Sequence, residues 1–153
     1  MRAHCQVAAG RPISCSEMSI TDSQIAAKLR RAGLRPTRQR MALAGLLFGS
    51  GDRHVSAESL HAEAVGARIP VSLATIYNTL NQFNKAGLLR EIAIEGDRTY
   101  FDTNTSNHFH YYLKDQARLV DIGTDNVQIT GLPPLPEGTT IDGIDVIVRL
   151  RSN

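Results

Sequence analysis

Both ends of a helix are marked in residues 72–87 (SLATIYNTLNQFNKAG), and no other stretch constrains the fold as much. Ser72 can cap the first turn, and Gly87 can take the left-handed conformation that stops the last. Leu73, Ile76, Leu80 and Phe83 recur at helical spacing and form one apolar stripe. The opposite side carries Thr75, Asn78, Asn81 and Gln82, with Tyr77 on its border, and almost no charge. A solvated helix face usually carries Lys and Glu. A face of Thr, Asn, Gln and Tyr suits hydrogen bonding to base edges in a major groove. The alternative is an amide-rich surface helix, and the flanking sequence weighs against it.

Immediately downstream, Leu88–Ile94 reads as a strand, Glu95-Gly96-Asp97 as a turn, and Arg98–Asp102 as the returning strand. A hairpin directly after a polar-faced helix is the layout of a winged helix-turn-helix. The helix enters the major groove and the wing lies near the backbone, with Arg98 available for a phosphate. Upstream, Thr21-Asp22-Ser23-Gln24 is a capping-box pattern that opens a helix with Ile25, Ala26, Leu29 and Ala32 inward, ended by Gly33. Thr37 caps a second helix with Met41, Ala44, Leu47 and Phe48 inward. A third runs from Ala57 to about Val65 with Leu60 and Ala64 inward, and Val55 is placed to staple onto Leu60. Residues 56–83 are then the helix-turn-helix proper.

Charge supports a nucleic-acid partner for this half. Lys28, Arg30, Arg31, Arg35, Arg38 and Arg40 fall close together, and no acid lies between Ser23 and Gly51. A strip without compensating Glu suits phosphate tracking better than mere solvation. Residues 1–100 hold 13 Lys/Arg against 8 Asp/Glu, whereas residues 101–153 hold 4 against 7. The halves are therefore about +5 and −3, which favours one DNA-facing module and one with another task. No apolar run approaches the roughly 20 residues of a membrane span, and no secretory signal opens the chain, so a cytoplasmic protein is expected.

Residues 1–19 mix Gly, Pro, Ser and Cys without periodicity and read as a mobile tail. Residues 20–102 then form the winged-helix domain and 103–107 (TNTSN) a polar hinge. In residues 108–153, strands are expected at His108–Leu113, Arg118–Ile122 and the alternating Ile144–Leu150. Val127, Gln128 and Ile129 fit either a short strand or a helical turn. The Pro-rich 132–138 cannot be helical. About 45 residues are too few for a secure independent core, so pairing with a second copy is expected to supply the missing burial.

His108 and His110 sit two apart on an expected strand and so share a face. Two imidazoles on one face can hold one divalent ion if further ligands approach. Asp102 closes the wing and His54 precedes the third helix; together the four make a mixed nitrogen and oxygen set drawn from both domains. An ion held that way would set the angle between the DNA-binding heads of a dimer.

With those residues assembled, the chain resembles the ferric uptake regulator (Fur) superfamily. More closely, it resembles the iron response regulator (Irr) group of alpha-proteobacteria. The resemblance is carried by residues 33–40 (GLRPTRQR), 54–58 (HVSAE), 72–82 (SLATIYNTLNQ), 86–88 (AGL), 99–104 (TYFDTN) and 136–151. It implies an α+β fold: an N-terminal winged helix-turn-helix and a small C-terminal α/β dimerisation domain. It implies a homodimer, or a higher oligomer, repressing iron and haem metabolism genes at an A/T-rich pseudo-palindromic operator. Arg35, Arg38 and Gln39 would sit near phosphates or the minor groove, while Thr75, Tyr77, Asn78 and Thr79 would approach bases.

By position, His54, Asp102, His108 and His110 match the interdomain regulatory metal ligands of such proteins, with Asp102 where Glu is commoner. The expected cofactor is therefore a divalent ion: Fe, Mn or Zn. Leu113 and Gln116 stand where the first Cys-x-x-Cys pair would be, so no structural zinc held by four cysteines is expected. Haem would have to use His108 and His110. Phe109 interrupts the consecutive histidines usual in the Irr group, and neither Cys5 nor Cys15 is followed by proline. A peroxide or manganese sensor of the same superfamily is the alternative. A small metal-dependent hydrolase using His108, His110 and Asp102 lacks a general acid, a nucleophile and an HExxH motif, so a non-enzyme is expected.

Overall fold

A computed structural model describes residues 20–94, 96 and 98–153. The tail with Cys5 and Cys15, and Glu95 and Asp97 of the expected wing turn, lie outside the described residues. The fold is α+β, and the chain divides into two units after Thr103.

The first unit holds four helices: α1 Asp22–Arg31, α2 Arg38–Phe48, α3 Ala57–Gly66 and α4 Leu73–Lys85. Their starts follow the capping chemistry. Thr21 Oγ1 accepts the Gln24 N–H at 3.2 Å while Gln24 Oε1 accepts the Thr21 N–H at 2.8 Å, a reciprocal box. Thr37, Ser56 and Ser72 each accept the N–H three residues on. The ends follow glycine: Gly33 and Gly87 take φ of +76° and +75°.

Leu29, Leu43, Leu47, Leu60, Ile76, Leu80, Phe83 and Phe101 are buried together with almost no exposure. Each contributes on the order of 1.5–3 kcal/mol by leaving water. Leu43 joins this core although the helical stripe of α2 was read without it; Met41 and Phe48 pack only partly against it.

A three-stranded antiparallel sheet completes the unit, with strands β1 His54–Ser56, β2 Arg90–Ala93 and β3 Thr99–Asp102 in the order β1-β3-β2. The expected hairpin is β2 and β3, shorter than the sequence suggests. The additional strand β1 is three residues long, too short to produce a periodic signal. Val55, expected as a staple onto Leu60, is buried in the same core cluster as Leu60 and pairs with Phe101 across β1 and β3, and the same register sets His54 opposite Asp102.

The second unit is a sheet of β4 Phe109–Leu113, β5 Arg118–Ile122 and β6 Ile147–Leu150, in the order β5-β4-β6. β4 and β5 form an antiparallel hairpin, whereas β6 lies parallel to β4, with His110 opposite Ile147. Its helical pieces among the described residues are two 3-10 turns, Lys114–Gln116 and Thr124–Asn126. Val127–Ile129 is neither strand nor helix, and irregular chain continues to Val146. The alternating C-terminal run begins its strand only at Ile147.

Buried apolar side chains here are few: Phe109, Leu119 and Ile122. Among the described residues, every exposed large apolar side chain except Val65 and Tyr77 belongs to this unit, Leu132, Leu135 and Ile141 being the most open.

Candidate nucleic-acid interface and metal-ligand groups

The polar face of α4 is held in place by its neighbours in the first unit. Arg40 on α2 donates to Gln82 Oε1 through Nε at 3.2 Å and Nη2 at 2.8 Å, and through Nη1 to the Arg35 carbonyl at 2.9 Å. Arg40 is therefore engaged in docking α2 to α4. Lys28 lies 4.6 Å over the Phe48 ring, and that ring packs 6.4 Å from Phe83. The basic strip that faces water is thus narrower than the sequence suggests: Arg30, Arg31, Arg35 and Arg38 remain exposed. Gln39 and Arg98 are exposed as well.

Asn78 and Asn81 are exposed to solvent, and Thr75 is half-buried beside the cap, its hydroxyl 2.9 Å from Ser72 Oγ. Thr37, Gln39, Arg40, Thr75, Asn78, Thr79 and Gln82 line a groove of about 220 Å³ between the start of α2 and α4. Tyr77 is 36% exposed and its hydroxyl donates to Glu58 Oε1 at 2.5 Å. That bond holds the Glu58 carboxyl below its ordinary range, assisted by the charge of Arg98, and raises the Tyr77 phenol. With its hydroxyl engaged, Tyr77 offers a groove its ring. Thr79, expected in the base-facing set, lies at the floor of that groove. It is 6% exposed, and its hydroxyl donates back to the Thr75 carbonyl at 2.9 Å.

The expected metal ligands fall into two groups, each described within its own unit. In the first unit, the β1–β3 register brings His54 Nε2 to 3.1 Å from Asp102 Oδ2, with Asp102 fully buried. In the second, His108 precedes β4 and His110 lies on it, their rings 4.5 Å apart and steeply inclined. His108 Nδ1 is 2.8 Å from the Ser106 carbonyl. A proton on that nitrogen leaves the Nε2 lone pair for a ligand. Both Nε2 atoms converge on Asp121 Oδ1, at 3.4 and 3.5 Å.

Asp121 is a ligand candidate that the sequence reading missed. The signal was present: a hairpin that turns at Lys114–Ala117 sets Leu113 opposite Arg118 and so His110 opposite Asp121. Each group offers imidazole nitrogen and carboxylate oxygen without thiolate. Such donors suit Fe(II), Mn(II) or Zn(II).

The profile of the Ferric uptake regulator family matches residues 31–131. The chain is 32% identical over 110 residues to the ferric uptake regulation protein of Shigella flexneri, spanning 71% of this chain and 73% of that one. It is 36% identical over 96 residues to the peroxide-responsive repressor PerR of Staphylococcus epidermidis, 62% of this chain and 63% of that one. The ferric uptake regulator of Pseudomonas aeruginosa, solved with manganese, superposes with a TM-score of 0.65 at 24% identity, covering 84% of this chain and 97% of that one.

Proposed function

Since this chain belongs to the ferric uptake regulator family of metal-responsive transcriptional regulators, we propose that it is an iron-responsive repressor of iron and haem metabolism genes. In this reading it works as a homodimer on A/T-rich, pseudo-palindromic operators. Its finer likeness is to the iron response regulators, on the strength of residues 136–151. The observation that carries the reading is the pairing of a charge-poor, amide-rich face on α4 with two nitrogen–oxygen ligand groups in one chain.

Thr75, Tyr77 and Asn78 read bases, the Tyr77 ring lying against a thymine methyl, while Thr79 shapes the helix from inside. Arg35, Arg38, Gln39 and Arg98 hold phosphates. His54, Asp102, His108 and His110 are the regulatory ligands, joined by Asp121. The first unit supplies two of these donors and the second three, and both sets offer nitrogen and oxygen to a divalent ion. When bound, such an ion supplies a structural constraint rather than chemistry on a substrate. A compact ion also suits His108 and His110, which are 6% and 3% exposed, better than a porphyrin does. The exposed apolar side chains of the second unit, with its small core, support the homodimer.

The test is duplex binding by the purified protein, apo and then with Mn(II), Fe(II) and haem added separately. A change in affinity with Mn(II) or Fe(II) that is lost in His54→Ala and in His110→Ala supports the reading; no change with either ion overturns it. Release by haem alone would shift sensing to haem through His108 and His110. A second reading, a peroxide or manganese sensor, is favoured by the similarity to peroxide-responsive repressors. Oxidation of a ligand histidine by peroxide in the presence of Fe(II), detected by mass spectrometry, would select it.

A further inference from the structure

Three helix ends in the first unit close with the same backbone wrap. After α1, the Gly33 N–H donates to Arg30 O and the Leu34 N–H to Leu29 O, both at 2.9 Å. After α4, Gly87 donates to Asn84 O at 3.0 Å and Leu88 to Phe83 O at 2.9 Å. After α3, Arg68 donates to Val65 O at 3.0 Å and Ile69 to Ala64 O at 2.9 Å. Two of these wraps use glycine for the left-handed residue; the third uses Arg68, at φ +57°. An L-residue is sterically disfavoured there and glycine is not. The backbone alone would therefore be better served by glycine, and the reason for an arginine must be sought in what its side chain touches.

Arg68 lines a cleft of about 370 Å³ with Ile69 and Pro70, and the first turns of α2 supply Arg38, Gln39 and Ala42 to the same cleft. Both arginines are exposed, and neither pairs with a carboxylate among the described residues. The first turn of α2 contains no acid, so its amide end adds to the positive field. Two uncompensated guanidiniums around one cleft call for an anion. Gln39 also lines the groove that reaches Thr75 and Asn78 on α4, so the cleft and the polar face share one side chain. A strand of DNA backbone following that groove would pass the cleft.

We propose that Arg38 and Arg68 clamp a single DNA phosphodiester in this cleft, Arg68 being a phosphate contact whose strained backbone is retained for its side chain. The proposal rests on the DNA-binding reading above. Phosphate contacts of this kind fix position on the duplex and carry no sequence information.

The test measures fluorescence anisotropy with an A/T-rich pseudo-palindromic duplex and a random-sequence duplex over a salt series, with thermal melting alongside. Arg68→Gly keeps or raises the melting midpoint, because glycine takes this conformation freely. It weakens both duplexes by the same factor, roughly tenfold at about 0.1 M salt, and lowers the slope of log K against log salt, by at most about 0.9 per bound protomer because Arg38 still faces the shared phosphate. Arg68→Lys keeps the charge and most of that slope. Combining Arg68→Gly with Arg38→Ala loses less than the product of the single losses, since both hold one phosphate.

Unchanged affinity and slope in Arg68→Gly overturns the proposal, and so does a loss confined to one duplex. Inorganic phosphate that raises the melting midpoint of the parent but not of Arg68→Gly, with duplex affinity equal in both, would reassign the cleft to a small free anion and likewise overturn it. Failure of the parent to bind either duplex, with or without Mn(II), would remove the DNA reading itself and this proposal with it.

Discussion

Replacing Thr79 with valine tests whether this side chain takes part in the base readout proposed for α4. Thr79 lies among the polar residues of α4 in sequence, but it is 6% exposed and its hydroxyl returns to the Thr75 carbonyl at 2.9 Å. Valine has the same branched shape and nearly the same helix propensity. Losing the hydroxyl removes one intrahelical hydrogen bond, worth about 0.5–1.5 kcal/mol. The Thr75 carbonyl keeps the i→i−4 amide bond of the helix, so no acceptor is stranded. Burying a methyl group where a hydroxyl stood returns about 0.8 kcal/mol. The net change is within about 0.7 kcal/mol of zero, a shift of no more than roughly 5 °C in melting midpoint.

Direct readout gives a very different figure. A base contact of good geometry carries about 1–3 kcal/mol of discrimination, roughly 5- to 150-fold. The assay is competition of specific against scrambled duplex at fixed salt, Thr79→Val beside Tyr77→Ala. Thr79→Val should leave the ratio unchanged, and Tyr77→Ala should collapse it. A collapse in Thr79→Val with its melting midpoint intact would refute the inference that burial removes this residue from the interface.

Three further outcomes follow from local geometry. Gly87→Ala should cost about 1–2 kcal/mol in urea unfolding, from backbone strain alone, since φ is +75° and no atom lies within 4 Å of the added Cβ. The Asp115 carboxylate accepts the Ser152 N–H at 2.7 Å, and the backbone and side-chain bonds from Ser152 hold it below its ordinary range. A lowered acid contributes stability above its unfolded pKa and loses it as pH falls through the folded value, so Asp115→Asn should flatten the acid limb of the stability curve below about pH 4 and little else. Asp121→Asn should weaken Mn(II) binding by calorimetry about 10- to 100-fold, whereas equal affinity would reduce Asp121 to a bystander beside His108 and His110.

Where local chemistry determines structure, the sequence is read easily. Thr21 with Gln24, Ser72, Gly33 and Gly87 announce helix ends, because caps and left-handed turns depend on one or two residues. Long-range pairing is harder. His54-Val55-Ser56 becomes a strand only because β3 is there to receive it. Asp121 is found only through the hairpin register. Thr79 shows that a polar residue can occupy a buried position when it satisfies itself on its own helix. Along β6 the alternation is visible, yet Val148 and Leu150 stay 38% and 40% exposed, so an apolar period does not by itself report burial. The parallel direction of β6 leaves no local signature at all.

The order β5-β4-β6 also governs when this sheet can exist. β4 and β5 are neighbours along the chain and can zip through one short turn as soon as both are made. β6 must then return across the irregular stretch 127–146 to lie against β4, the strand made first. Closing that excursion adds little thermodynamic penalty but slows the search, since long-range strand pairing is the slow step in β topologies. During synthesis, the first unit can complete its core while the second sheet still has a bare edge. For the homodimer proposed above, assembly is thereby ordered in time, the first unit maturing before the second.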